Sequence, residues 1–144
     1  MADKELIDSI NACCNYNMYN GIKVVDLGED YCIVEGVLRD ETLNPWGMAH
    51  GGFVYSLCDV AAGVVVSRGT RQGVTLSGSM RYLRPSRGSK LRAEGKIVKD
   101  GRSVAFVETS VYDDEGTLTA QGNFEVFIVD DKKAAYRAAH HRDL

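Results

Sequence analysis

The sequence lacks a hydrophobic run long enough to cross a bilayer. Its longest apolar segment, Val60 to Val66, is far shorter than the roughly 20 residues that a membrane-spanning helix needs. It also lacks a basic and apolar leader, since the chain begins Met-Ala-Asp-Lys-Glu. We therefore expect a cytoplasmic protein that does not bind membranes.

Cysteine and histidine are few and are poorly spaced for metal binding. The four cysteines form no Cys-x-x-Cys pair, and the neighbours Cys13 and Cys14 are poor disulfide partners. His140 and His141 are adjacent, so on a helix their side chains would face different ways. These spacings predict reduced thiols and no metal site.

Acidic residues are absent between Asp59 and Glu94, although the whole chain carries a net charge of −3. That interval holds 7 of the 17 basic residues, which leaves 10 basic against 20 acidic residues elsewhere. An acidic chain with one basic segment favours a local anionic ligand over a nucleic-acid coat. A solvated face of a strand and turn explains the same charge equally well.

The length of 144 residues predicts one domain with one core. Hydrophobic periodicity and turn residues divide it into a short amphipathic helix, two strands, a long apolar helix, four longer strands and a polar tail. The predicted bounds are helix 3–14, strands 22–27 and 31–39, helix 49–67, strands 74–83, 90–99, 103–113 and 118–129, and tail 130–144, with the core at about 22–129.

The order of these elements predicts an α+β fold. The turns around Pro85, Gly101 and Gly116 have the chemistry of hairpins, which predicts an antiparallel meander of the last four strands. A long apolar helix ahead of such a meander is best buried if a curved sheet wraps around it.

The segment 44–59 combines a polar loop with the start of the long helix. Gly51 and Gly52 come directly before the apolar run, and no strong side-chain cap is evident for the first turn. The backbone N–H groups at this positive helix end are therefore available to a polarised oxygen. Asp59 interrupts the apolar run, and a lone carboxylate in a buried helix is costly unless it is paired or used.

The chain resembles the hotdog-fold acyl-CoA thioesterases, in the branch of the phenylacetyl-CoA and 4-hydroxybenzoyl-CoA thioesterases. The resemblance extends from about Ile22 to Val129, and the residues that carry it are Asn44, Gly47, His50, Gly51, Gly52, Leu57 and Asp59, with the segments 73–75, 82–85 and 101–102. It implies a hotdog fold, hydrolysis of acyl-CoA without a metal or organic cofactor, and dimers that pair into tetramers.

Thioester hydrolysis needs a hydrogen-bond donor for the developing oxyanion and a source of an oxygen nucleophile. The Gly51 N–H is a candidate for the donor, and Asp59 is the candidate carboxylate, either as nucleophile or as general base on a water. The two groups are about 12 Å apart along one helix, whereas a reacting carbonyl must lie close to both. We therefore expect a symmetric dimer with two composite sites, as the resemblance also implies.

Other candidates surround this pair. Asn44 resembles the polar residue that orients the nucleophile or the substrate carbonyl, although an Asn-Pro turn explains it as well. His50 is expected to brace the loop rather than to catalyse. Thr75 lies where the family positions a water, with Ser77 as a rival on the same strand face.

The phosphates of coenzyme A suggest a role for the basic turn after the first long strand. Its candidate ligands are Arg84, Arg87 and Lys90, because guanidinium and ammonium groups bind phosphate well.

Two other functions remain open: a hotdog dehydratase or hydratase that uses His50 with Asp59, and a non-catalytic acyl-CoA-binding module. The acyl group itself is not specified by these motifs.

Overall fold

The computed structural model describes residues 3–68 and 71–129. These residues contain three α-helices, six β-strands and a short 3-10 helix at Asp40–Thr42. The helices are α1 (Lys4–Cys13), α2 (Asn15–Tyr19) and α3 (Gly51–Ser67). The strands are β1 (Ile22–Leu27), β2 (Tyr31–Val37), β3 (Gln72–Tyr82), β4 (Lys90–Asp100), β5 (Val104–Tyr112) and β6 (Leu118–Val129). The predictions for the tail 130–144, with its two histidines, lie outside the described residues.

The strands form one antiparallel sheet in the order β1-β2-β4-β5-β6-β3. The predicted meander is correct for β4, β5 and β6 but wrong for β3, which pairs with β6 and not with β4. Pro85 and Gly88 do mark a break in the chain, but residues 83–89 cross from one edge of the sheet towards its middle. Local turn chemistry predicts that the chain changes direction, and it does not determine which strands then pair.

Helix α3 lies against one face of this sheet. Its buried side chains are Phe53, Val54, Leu57, Cys58, Ala61, Ala62, Val65 and Val66. They pack against inward-facing residues of the sheet, all six strands of which contact the helix, and among these residues are Val34, Leu91, Val107 and Phe124. Burial of each such side chain contributes about 1.5–3 kcal/mol, which is why this long apolar helix, with Asp59 as its one charged residue, occupies the centre. The predicted α+β hotdog architecture is confirmed.

Two glycines allow α3 to approach the sheet closely. A Cβ atom on Gly36 of β2 would lie 2.5 Å from Leu57 Cδ2, and one on Gly95 of β4 would lie 3.1 Å from Ala61 Cβ. The adjacent strands β2 and β4 thus present bare backbone where the helix crosses them. A larger residue at either position would push the helix outwards.

The N-terminal segment contains one more helix than the sequence predicts. Asp3 caps α1 by accepting a hydrogen bond from the Leu6 amide, and α2 follows after Cys14. Asn11 ties α1 to β1, because its side chain exchanges hydrogen bonds of 2.8 and 2.9 Å with the Val24 backbone. None of the described helices is long and apolar enough to cross a membrane.

Candidate active site

His50 caps the central helix. Its Nδ1 accepts a hydrogen bond of 2.9 Å from the Gly52 amide, and its own amide donates to the Thr42 carbonyl. The expectation that no side chain caps this helix is therefore wrong, and the predicted bracing role of His50 has a direct structural basis. Because Nδ1 accepts, the neutral imidazole carries its proton on Nε2.

The first turn of α3 leaves one amide free. The His50 carbonyl accepts from the amides of Phe53 and Val54, and the Gly51 carbonyl accepts a hydrogen bond of 2.8 Å from the Tyr82 hydroxyl. The Gly51 N–H makes no hydrogen bond within the described residues. It lies at the positive end of a 17-residue helix, so it is suited to receive a negatively polarised oxygen.

Asn44 organises the loop that leads to this helix. Its Oδ1 accepts from the amides of Trp46 (3.0 Å) and Met48 (3.1 Å), and its own amide donates to the Met48 carbonyl. Its oxygen is therefore committed to an Asn-Pro turn. Its Nδ2 has no acceptor in the described part of the chain, so that group remains available to a substrate oxygen.

Asp59 is paired with Thr75. The Thr75 hydroxyl, on β3, donates a hydrogen bond of 2.5 Å to Asp59 Oδ1, and both residues are only partly buried. Among the described residues this bond occupies one lone pair of one oxygen, and Oδ2 has no protein donor there. The carboxylate thus has a partner that orients it without neutralising it.

A β-bulge determines which of the two hydroxyls, Thr75 or Ser77, faces the helix. Thr75 lies opposite Val126, whereas Ser77 lies opposite Glu125, and the register shifts between them. Consequently Thr75 points towards the helix, while Ser77 hydrogen-bonds to Glu125 on the outer face. The expectation that these two hydroxyls share one face is wrong, because the extra residue Leu76 reverses the alternation.

Asp59 and Thr75 line a cavity of about 690 Å³ between α3, the N-terminal helices and β3. Its other walls come from α1, α2, α3 and β3, with the side chains of Ile10, Cys13, Cys14, Tyr16, Asn17, Tyr55, Ser56, Val60, Val64 and Val74. Most of this lining is apolar, so the Asp59 carboxylate lies at the wall of a cavity whose surface suits an organic acyl group.

Gly51 lines a different cavity, of about 350 Å³, together with Asn44, Tyr82 and Arg84. Within one chain the candidate oxyanion donor and the candidate acid therefore open into separate spaces. This separation agrees with the helix arithmetic, in which eight residues place the two groups about 12 Å apart.

Cys58 is adjacent to Asp59 in sequence but belongs to the core. It is fully buried, and burial raises the pKa of its thiol to about 11. A thiol that stays protonated at neutral pH is a poor nucleophile. Among residues 3–68 and 71–129, no group of three or more His, Cys, Asp or Glu side chains is arranged to hold a metal ion.

The three basic candidates for phosphate contact do not occupy one place. Arg84 lines the Gly51 cavity and donates a hydrogen bond of 2.9 Å to the Leu118 carbonyl. Lys90 forms an ion pair of 3.2 Å with Glu35 and borders another cavity. Arg87 is exposed between them. Contact of all three with a nucleotide stays a prediction, with Arg84 nearest to the helix start.

The sequence interpretation missed the roles of two tyrosines. Tyr82 bonds to the Gly51 carbonyl, and Tyr16 on α2 shares a hydrogen bond of 2.8 Å with Ser56 on α3. Because the Ser56 proton goes to the Gly52 carbonyl, Tyr16 is the donor to Ser56. A signal existed only for Tyr82, which belongs to the segment 82–85 that carries part of the family resemblance.

Comparison with known proteins gives a consistent result. Residues 47–120, just over half of the chain, match the family model described as the thioesterase superfamily. The phenylacetic acid degradation protein PaaI from Thermus thermophilus, solved as a variant, is 32% identical, with 79% of this chain and 98% of that chain covered and a TM-score of 0.73.

Two further structures are similar. A Streptococcus mutans protein solved with acetyl CoA is 30% identical, with 75% of this chain and 88% of that chain covered and a TM-score of 0.70. A thioesterase from Haemophilus influenzae has a TM-score of 0.81 over 86% of this chain and 90% of that chain. At 21% identity, this third similarity supports the fold alone.

Proposed function

The chain belongs to the thioesterase superfamily, and from that premise we propose that it hydrolyses the thioester bond of acyl-CoA to a free acid and coenzyme A. One observation carries the proposal. Helix α3 holds a carboxylate, Asp59, in hydrogen-bond contact with Thr75 at the wall of a mostly apolar cavity. At its positive end it presents the Gly51 amide, which has no acceptor among the residues that the structure describes.

The chemistry that these groups support is direct. The carbonyl oxygen of the thioester becomes negative as the carbon turns tetrahedral, and the Gly51 N–H stabilises that charge. Asp59 either removes a proton from a water that attacks the carbon or attacks the carbon itself to give an anhydride that water then hydrolyses. In both routes the C–S bond breaks and coenzyme A leaves as a thiolate, which takes up a proton that comes from the water consumed in the hydrolysis.

We further propose that a second copy of the chain completes each site. A substrate carbonyl must lie within about 3 Å of its donor, which one helix cannot satisfy for both Gly51 and Asp59. Within residues 3–68 and 71–129, β3 lies at an edge of the sheet, and its Val74 and Leu76 are 49% and 60% exposed, which supports such a dimer. A long strand edge with exposed apolar side chains is a template for pairing with another copy.

Coenzyme A as the carrier is supported by the relative from Streptococcus mutans, which was solved with acetyl CoA. The lining of the Asp59 cavity is mostly apolar, which favours an acyl group over a highly charged one. The proposal includes no metal and no organic cofactor, and it includes pairing of dimers into tetramers as the family resemblance implies. It places the protein in the cytoplasm.

The decisive experiment measures thiol release from a panel of short, medium, long and aromatic acyl-CoA esters. The wild-type protein should release free thiol from at least one of them, and Asp59→Asn should lower kcat on that substrate by roughly 10²–10⁴-fold, because the amide can neither accept the proton nor attack. KM should change little.

Ser77→Ala provides a matched control, since this hydroxyl lies on the outer face of β3 and should leave kcat unchanged. Wild-type turnover by Asp59→Asn would exclude the mechanism. If an acyl-CoA showed a change in double-bond absorbance without thiol release, dehydration would replace hydrolysis. Binding of acyl-CoA without either reaction would indicate a non-catalytic module.

A further inference from the structure

We propose that Tyr82 is a positioning residue that fixes the direction of the Gly51 amide through the Gly51 carbonyl. The inference rests on the proposed thioesterase function and adds a residue to it. Tyr82 lies at the end of β3, and its hydroxyl is 2.8 Å from that carbonyl oxygen, to which it donates.

The argument starts from the flexibility of two consecutive glycines. Glycine has no Cβ and populates more backbone conformations than any other residue, so a helix that begins Gly51-Gly52 has a poorly defined first turn by itself. An oxyanion donor, in contrast, is effective only when its N–H is held in place before the charge develops. Something outside the glycines must therefore restrict them.

The restraint can be followed peptide by peptide. The peptide between Gly51 and Gly52 is held at both ends, because Tyr82 bonds to its carbonyl and His50 Nδ1 bonds to its N–H. The preceding peptide is held at one end, since the His50 carbonyl accepts from the amides of Phe53 and Val54. The Gly51 N–H is thus the one free polar group of these two peptides within the described residues.

Tyr82 is the part of this restraint that comes from outside the helix and its cap. It connects the first turn to β3, the strand that also carries Thr75. The aromatic ring packs on the same residue, because a Cβ on Gly51 would lie 3.4 Å from the Tyr82 ring. Partial burial raises the pKa of the Tyr82 hydroxyl, which keeps it protonated and able to donate.

The test compares Tyr82→Phe with Tyr31→Phe. The second variant removes an equivalent hydroxyl, which donates to Asp26 at 3.1 Å far from the helix start. Both variants keep the aromatic ring, so both should fold. We expect Tyr82→Phe to lower kcat by roughly 3- to 10-fold, the effect of one net hydrogen bond, with KM within about twofold of wild type. Tyr31→Phe should match wild type.

A second measurement does not depend on substrate. Hydrogen exchange and amide chemical shifts report on the first turn of α3. In Tyr82→Phe the chemical shifts of the Gly51 and Gly52 amides should change, and the Gly52 amide, which is hydrogen-bonded to His50, should exchange faster. The amides of Val65 and Val66 should do neither. Unchanged kcat, a loss confined to KM, or unchanged glycine amides would each overturn the inference while the thioesterase proposal stands. A wild-type protein that hydrolyses no acyl-CoA would overturn both.

Discussion

At the scale of single residues, the helix start shows how a capped amide and an amide without a hydrogen bond in the described residues can be neighbours. His50 accepts from the Gly52 amide, and no residue in the described ranges 3–68 and 71–129 accepts from the Gly51 amide. A shorter cap such as serine would bond to the amides of the second or third helical residue in the same way, so a histidine here is not required by capping alone. The geometry nevertheless gives His50 a structural task, because its Nδ1 is occupied.

That task predicts how His50 variants behave. His50→Ala should lower the free energy of unfolding by about 1 kcal/mol, since it removes an N-cap acceptor, whereas His50→Asn should change it by only a few tenths because asparagine caps well. Urea denaturation at one fixed protein concentration would measure both. If His50 moved a proton in the reaction, His50→Asn would lose roughly 10²-fold or more in kcat despite its stability; we expect it to retain most of its activity.

At the scale of elements, the crossing segment 83–89 is held at several points. The amides of Leu83 and Arg84 donate to the Thr119 carbonyl, and the Ser86 and Thr119 hydroxyls are 2.7 Å apart. Asp114 accepts from the Ser89 amide, and this hydrogen bond is the main reason that the pKa of Asp114 is lowered. The segment therefore carries its arginines on a fixed backbone beside the helix start.

Charge reversal on this segment tests the predicted phosphate contact. The pair Arg84→Glu and Arg87→Glu should raise KM for acyl-CoA about tenfold or more while kcat falls less, because phosphates of the nucleotide lie far from the thioester. Arg102→Glu, at the opposite end of β4, is the matched control and should leave KM unchanged. If the double variant had the same KM as the Arg102→Glu control, the assignment of Arg84 and Arg87 to phosphate contact would be wrong.

The helices and strands could be predicted to the extent that they depend on local sequence features. The bounds of β1 and β6 match the prediction, and α3 ends at Ser67 as expected, because periodicity and turn residues are local properties. The position of β3 beside β6 was not predictable, since strand order depends on non-local contacts. The Thr75–Asp59 bond was missed for a related reason: a one-residue bulge decides which hydroxyl faces the helix.

At the scale of the whole molecule, the proposed dimer makes a strong prediction about mixed subunits. Gly51→Pro would remove the N–H donor while keeping the helix, because proline is favoured at the first helical position and His50, with φ −60° and ψ 137°, has a conformation that proline accepts after it. Alone, Gly51→Pro and Asp59→Asn should each be nearly inactive.

Mixed and refolded together, these two inactive variants should regain about a quarter of wild-type activity. Half of the random dimers are mixed, and each mixed dimer has one site with an intact Asp59 and an intact Gly51 from opposite chains. The recovered activity would be measured as thiol release from mixtures of the two variants at a series of molar ratios. Absence of any recovery, with mixed dimers demonstrated by mass spectrometry, would show that each site is built within one chain.

The strand β3 has one further consequence for such an assembly. It touches the carboxylate through Thr75 and the glycine turn through Tyr82, and in the proposed dimer these two contacts serve different reaction centres. A slide of this strand along its own axis would disturb both centres together. In the proposed dimer the two reaction centres would then be coupled through β3, so that binding of substrate at one centre would change the geometry of the other.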